Sequence, residues 1–191
     1  MAFLDQWTLA RGNVRPATSL LLVIAGSLLL TLSAKYQVPL APVPMSLQTL
    51  VVIGLGFALG PVLAGATVLA YLAQGAAGLP VFAGTPQLGA GLPYMMGPTG
   101  GFLVGFLLAA VAAGAMVRAG WARGPLGATA VAFAATVVLY LPGLAWLGAY
   151  VGFDARLLQV GLYPFLLGDA IKVLVAGIAF SQVGRLLSRR G

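Results

Sequence analysis

The chain has 191 residues, 61% of them hydrophobic and only 7% charged, with three acids against ten bases and a formal net charge of +7. A soluble domain needs about 25% charged residues to dress its surface, so most of this surface is built to face lipid. The lack of Cys and His excludes disulfide frameworks, thiol chemistry and the usual zinc sites.

Residues 1–16 are polar and carry Arg11 and Arg15, ahead of an apolar run from Ala17 to Ala34. That order is like the charged region and apolar core of a signal peptide, but the run exceeds the usual ~7–15 residues and further spans follow. It is read as a retained first helix, 17–34. The connection after it, "KYQVPLAPVPMSLQ" (35–48), is proline-rich and extended, and leads into Gln48 and Thr49.

The next apolar segment, 45–78, is too long for one ordinary span of about 17–25 residues. Gly60-Pro61 interrupts it, and that pair suits one helix ending at Gly and another restarting with Pro at its first position. Two short helices are expected, 45–59 and 61–78. The longest connection follows, "LPVFAGTPQLGAGLPYMMGPTG" (79–100), with no formal charge, four prolines and five glycines, and with Phe82, Tyr94, Met95 and Met96. Such a segment is built to fold back onto the protein, where Gly and Pro let backbone groups approach a ligand closely. A compact plug without a ligand is the alternative.

Helices are expected next at 101–117, 125–150 and 161–184, with Pro142 kinking the fifth span. The bases orient them. Six spans with a cytoplasmic N-terminus place Arg11, Arg15, Arg118, Arg123, Arg185, Arg189 and Arg190 inside, and only Lys35 and Arg156 outside. A single span over 45–78 would leave three inside and six outside. The positive-inside rule therefore favours six helices, N-in and C-in, with Trp121, Trp146 and Tyr150 near the interfaces. The bases sit between apolar runs rather than in a patch, so topology accounts for them without nucleic acid. The expected architecture is an all-α integral membrane protein, one membrane domain over 1–191 in contact with lipid, and without a visible internal repeat.

The last span holds Asp169 and Lys172. A charge at mid-bilayer costs about 2.5–3.5 kcal/mol on insertion scales, so the pair needs a use. The i,i+3 spacing puts both on one face, in the outer half of the helix, beneath the two apolar connections. A carboxylate accepts from ligand N–H groups; an ammonium donates to a carbonyl or pairs with a carboxylate. A ligand that is small, polar at defined points and otherwise apolar fits that description. A structural ion pair that fixes helix register is the alternative. Gln48, Tyr71, Gln74, Gln87 and Tyr163 are candidates for a wider pocket, each also suited to interhelical hydrogen bonding.

No phosphate loop is present, since "GPTGG" (97–101) lacks a lysine, and no nucleophile–base pair marks an enzyme. The three acids, Asp5, Asp154 and Asp169, are too scattered for a metal cage. No cofactor is expected, and accumulating a solute would need energy from a partner or an ion gradient. Two other classes remain open: a stand-alone ion-coupled secondary transporter of a small carboxylate-bearing solute, with Asp169 as proton carrier, and a membrane scaffold without a ligand.

"VPMSLQTL" (43–50), "GLPVFAG" (78–84), "GPTGGFLVGF" (97–106) and "PFLLGDAIKVLVA" (164–176) resemble BioY, the biotin-specific S component of energy-coupling factor (ECF) transporters. Order and spacing match over nearly the whole chain. The resemblance implies an S-component-like bundle in the bacterial cytoplasmic membrane that captures biotin from outside with high affinity. It implies delivery by movement within an assembly of a transmembrane coupling protein and two ABC-type ATPases. It also implies that Asp169 and Lys172 contact biotin: the ureido N–H groups suit Asp169, and the ureido oxygen or the carboxylate suits Lys172. The chemistry of the ring and chain suits Phe82, Tyr94 and Met95. S components often carry an Ala-x-x-x-Ala surface on the first helix for the coupling protein; the nearest match here is Ser27 and Thr31.

Overall fold

The computed structural model of the chain describes residues 15–85, 87 and 89–188, with the side chains of 183–188 outside the description. Residues 1–14, and with them Arg11, as well as Arg189, Arg190 and the side chain of Arg185, therefore lie outside the described residues.

Helix α1, Pro16–Lys35, starts with proline at its first turn, where a missing N–H removes no intrahelical bond. It buries a narrow stripe (Gly26, Ser27, Leu30, Ser33, Ala34) and turns Leu20, Leu21, Ile24, Leu28, Leu29 and Leu32 outward. After it, Gln37–Val38 (β1) and Met45–Ser46 (β2) pair antiparallel, with Gln37 opposite Ser46 and Val38 opposite Met45.

Helix α2, Gln48–Ala76, is broken at Gly60, whose φ of 72° and ψ of 176° are not helical. Only glycine adopts that region without strain, and Pro61 then opens the second arm. Gln48 Nε2 donates to Tyr71 Oη at 2.7 Å across 23 residues. At 1.5 Å per residue a straight helix would separate them by about 34 Å, so the arms 48–59 and 61–76 run back along each other. The break thus lies where the Gly-Pro pair places it. The first arm begins three residues later than expected because Met45–Ser46 is paired as strand.

The connection 79–100 contains a short helix α3, Gly91–Met96, which the sequence reading leaves as loop. Helices α4, Gly100–Arg118, and α5, Gly124–Val151, follow. Helix α5 continues through Pro142. The helix expected over 161–184 starts two residues later, and a short helix precedes it. Helix α6, Ala155–Gly161, is capped by Asp154, whose Oδ1 accepts from the Arg156 N–H at 2.8 Å. The chain leaves helical geometry at Leu162 (φ −130°, ψ −60°), and α7, Tyr163–Ser188, follows.

Helix α4 lies between α2 and α5, α1 covers another side of α2, and α7 closes on α5 and α2. Small residues permit the approach. A Cβ at Gly56 would lie 2.6 Å from the Ala110 carbonyl oxygen, and one at Gly114 would lie 2.5 Å from Pro61 N. Among the described residues, five helices are long and apolar enough to cross a membrane: Pro16–Lys35, Gln48–Ala76, Gly100–Arg118, Gly124–Val151 and Tyr163–Gln182. With five such helices, the chain is a multi-pass membrane protein.

Candidate functional site

Asp169 and Lys172 lie one turn apart on α7, only 6% and 7% exposed. Lys172 Nζ donates to Asp169 Oδ1 at 2.9 Å. The other carboxylate oxygen, Oδ2, accepts from Tyr140 Oη at 2.5 Å. Tyr140 sits near the middle of α5, held edge-on by Phe102 of α4 with ring centres 5.9 Å apart. Two helices, α7 and α5, therefore meet at one carboxylate, with α4 behind the Tyr140 ring, and the carboxylate retains unused lone pairs.

That space is a narrow cavity of about 40 Å³, enough for a few water molecules. Its polar lining is Ser46, Gln48, Thr49, Tyr94, Thr99, Tyr140, Asp169 and Lys172, and its apolar wall includes Met45, Phe102, Phe106, Leu139 and Phe165. A second, more open cleft of about 360 Å³ adjoins it, lined by Lys35, Tyr36, Gln37, Val38, Leu47 and again Met45, Ser46 and Lys172. The two spaces share Met45, Ser46 and Lys172. Within the outer cleft, Gln37 Oε1 is buried without a hydrogen-bond partner, the one such side-chain atom among the described residues.

Of the residues singled out from sequence, Asp169, Lys172, Gln48 and Tyr94 line the inner cavity together. Gln48 is locked: it donates to Tyr71, and its Oε1 accepts from Ser46 Oγ at 3.1 Å. Tyr94 Oη donates to the Ala83 carbonyl at 2.8 Å. Burial pushes this phenol up to about 12, so it stays a neutral donor at ordinary pH. Phe82 and Met95 do not line the cavity. Phe82 is fully buried, stacked behind Tyr94 (centres 4.9 Å apart, planes at 17°) and edge-on to Tyr71. Met95 is half-buried on α3.

Tyr71 donates to the Val81 carbonyl at 3.1 Å and acts as an internal brace. Gln74 Nε2 donates to Ser27 Oγ at 3.0 Å, while Gln87 and Tyr163 are exposed. Ser27 is completely buried in this contact, whereas Thr31 is half-buried and donates to the Ser27 carbonyl at 3.0 Å within α1. Sequence reasoning missed Tyr140. Its signal was available, because tyrosines favour membrane interfaces and a mid-span hydroxyl needs a buried partner.

The chain matches the BioY family over residues 7–189. It is 35% identical over 154 residues to the "Probable biotin transporter BioY" of Pyrococcus horikoshii, covering 78% of this chain and 86% of that one. It is 33% identical over 158 residues to the "Biotin transporter BioY" of Thermotoga maritima, covering 83% and 90%. Its fold is similar to the crystal structure of an S-component for biotin from an ECF-type ABC transporter, with a TM-score of 0.79, 21% identity, and 92% and 95% of the two chains covered. These relatives are named as transporters, not enzymes. The chain belongs to the BioY family.

Proposed function

We propose that the chain is a high-affinity biotin-capture subunit, the S component of an ECF-type uptake system in a bacterial cytoplasmic membrane. The observation that carries this reading is the buried Asp169–Lys172 pair lining a cavity with Tyr140 and Tyr94. Asp169 accepts the ureido N–H groups, Lys172 donates to the ureido oxygen or the carboxylate, and Gln48 holds the floor through Tyr71. The rings of Phe102, Phe106 and Phe165 enclose the apolar bicycle and chain. Phe82 supports Tyr94 from behind, and Met95 shields the external side.

Six crossings with both termini cytoplasmic are part of the proposal, supported by the reversal at Gly60 and by the asymmetry of the bases. The first arm, 48–59, rises only about 18 Å, short of the ~30 Å hydrocarbon core. The hairpin 37–46 fills the remaining depth, which brings the pocket below the external surface. The chain carries no phosphate loop of its own, and the similarity to an S-component of an ECF-type ABC transporter supports energy from a transmembrane coupling protein and a pair of ABC-type ATPases.

Uptake of labelled biotin by cells expressing the chain with and without that partner set tests the reading. Accumulation that requires the partners is the expected result. Gradient-driven uptake in vesicles holding this chain alone would favour the ion-coupled secondary transporter instead.

A further inference from the structure

Lys35, at the external end of α1, reaches across to the start of the 79–100 connection. Its Nζ donates to the Pro80 carbonyl at 2.6 Å, the Phe82 carbonyl at 3.1 Å, the Thr85 carbonyl at 3.3 Å and Thr85 Oγ1 at 3.0 Å. Four oxygens gathered around one ammonium form a designed seat rather than a chance surface contact, since a compact cation on a flexible stem can share its donors among several carbonyls. Thr85 Oγ1 also donates to the Phe82 carbonyl at 2.7 Å, closing the turn.

The remaining carbonyls of this segment are taken from the inside. Val81 accepts from Tyr71, and Ala83 accepts from Tyr94. Every carbonyl from Pro80 to Ala83 is therefore held by a side chain, with Lys35 supplying the outer grip and the two tyrosines the inner one. Ala83 and Tyr94 line the cavity that holds Asp169, and the Phe82 ring fixes the plane of Tyr94. Lys35 also lines the outer cleft, as does Lys172.

We infer that Lys35 is a positioning residue for the ligand cavity: it seats residues 80–85 and, through Phe82 and Ala83, sets Tyr94 against the space beside Asp169. The inference uses the biotin reading only for the choice of ligand. A purely topological external base would need none of these bonds, and its removal would leave the wall in place.

The test measures hydrogen exchange of the purified full chain, together with biotin dissociation, for the native protein, Lys35→Met and Thr85→Val. The second variant removes one of the four oxygens without touching the charge, and it decides the question if the first does not fold. Lys35→Met is expected to speed exchange at 79–85 and 91–97 while leaving α4 unchanged, and to speed dissociation by about tenfold. Thr85→Val is expected to move both in the same direction by less. Unchanged exchange in these segments, or loosened segments with unchanged dissociation, overturns the inference. Failure of the native protein to bind biotin counts against the transport reading alone, because the exchange arm still decides what Lys35 holds.

Discussion

Asp169→Asn keeps the shape of the side chain and removes its charge. In the native protein the carboxylate accepts from Lys172 at 2.9 Å and Tyr140 at 2.5 Å, with both ionised residues under one-tenth exposed. Removing one member of such a pair leaves the ammonium buried and unpaired, at about 3–5 kcal/mol. The same change weakens a charge-assisted bond to a ligand N–H by about 1.5–3 kcal/mol, roughly 10- to 100-fold in Kd. The two losses are separable. Asp169→Asn/Lys172→Met eliminates both charges and, because neutral replacement of a buried pair is often well tolerated, recovers most of the stability. Binding stays lost, since the acceptor charge is still missing. Thermal unfolding and biotin titration of the native, single and double variants, all in one detergent, give both quantities. Native affinity in the double variant would refute the reasoning and return the pair to a structural role.

Tyr140→Phe removes the hydroxyl from Asp169 Oδ2 while keeping the ring against Phe102; affinity should fall about 3- to 10-fold, as expected for a bond of about 0.5–1.5 kcal/mol, read by the same titration. Gly60→Ala forces a Cβ into a backbone region reserved for glycine and should destabilise the fold by about 1–3 kcal/mol, measured by thermal unfolding; an unchanged transition would contradict the reversal of α2. Gly75→Ala places a Cβ 1.9 Å from Phe82 Cζ, so the ring must leave its stack on Tyr94. Overpacking of this kind costs about 1–3 kcal/mol, and unfolding of this variant combined with near-ultraviolet dichroism should show both the loss and the displaced aromatic.

The parts of the architecture that were legible from sequence are those governed by local physics. The membrane character follows from composition. The break in α2 follows from Gly60 and Pro61, because the backbone demands of that pair do not depend on distant packing. Asp169 and Lys172 stand out because formal charges are expensive in an apolar helix. What escaped prediction depends on tertiary contact. The hairpin 37–46 and helix Gly91–Met96 are short and lack a clear apolar period. Phe102, Phe106 and Phe165 look like lipid-facing aromatics until the helices assemble. Phe82 stands in the same connection as Tyr94, yet Gly75 gives it room to pack behind that ring instead of beside the cavity. Lys35 counts in sequence as one external base, and only the fold reveals the four oxygens that it holds.

The central claim is that a buried carboxylate and ammonium on α7 recognise biotin. Titration of the folded, purified chain with biotin, desthiobiotin and an unrelated vitamin tests it most directly. Saturable binding of biotin, absent for the unrelated vitamin and weakened at least tenfold, about 1.4 kcal/mol, by Asp169→Asn and by Lys172→Ala, is the predicted result. Folded protein that shows no saturable biotin binding at micromolar ligand would contradict it.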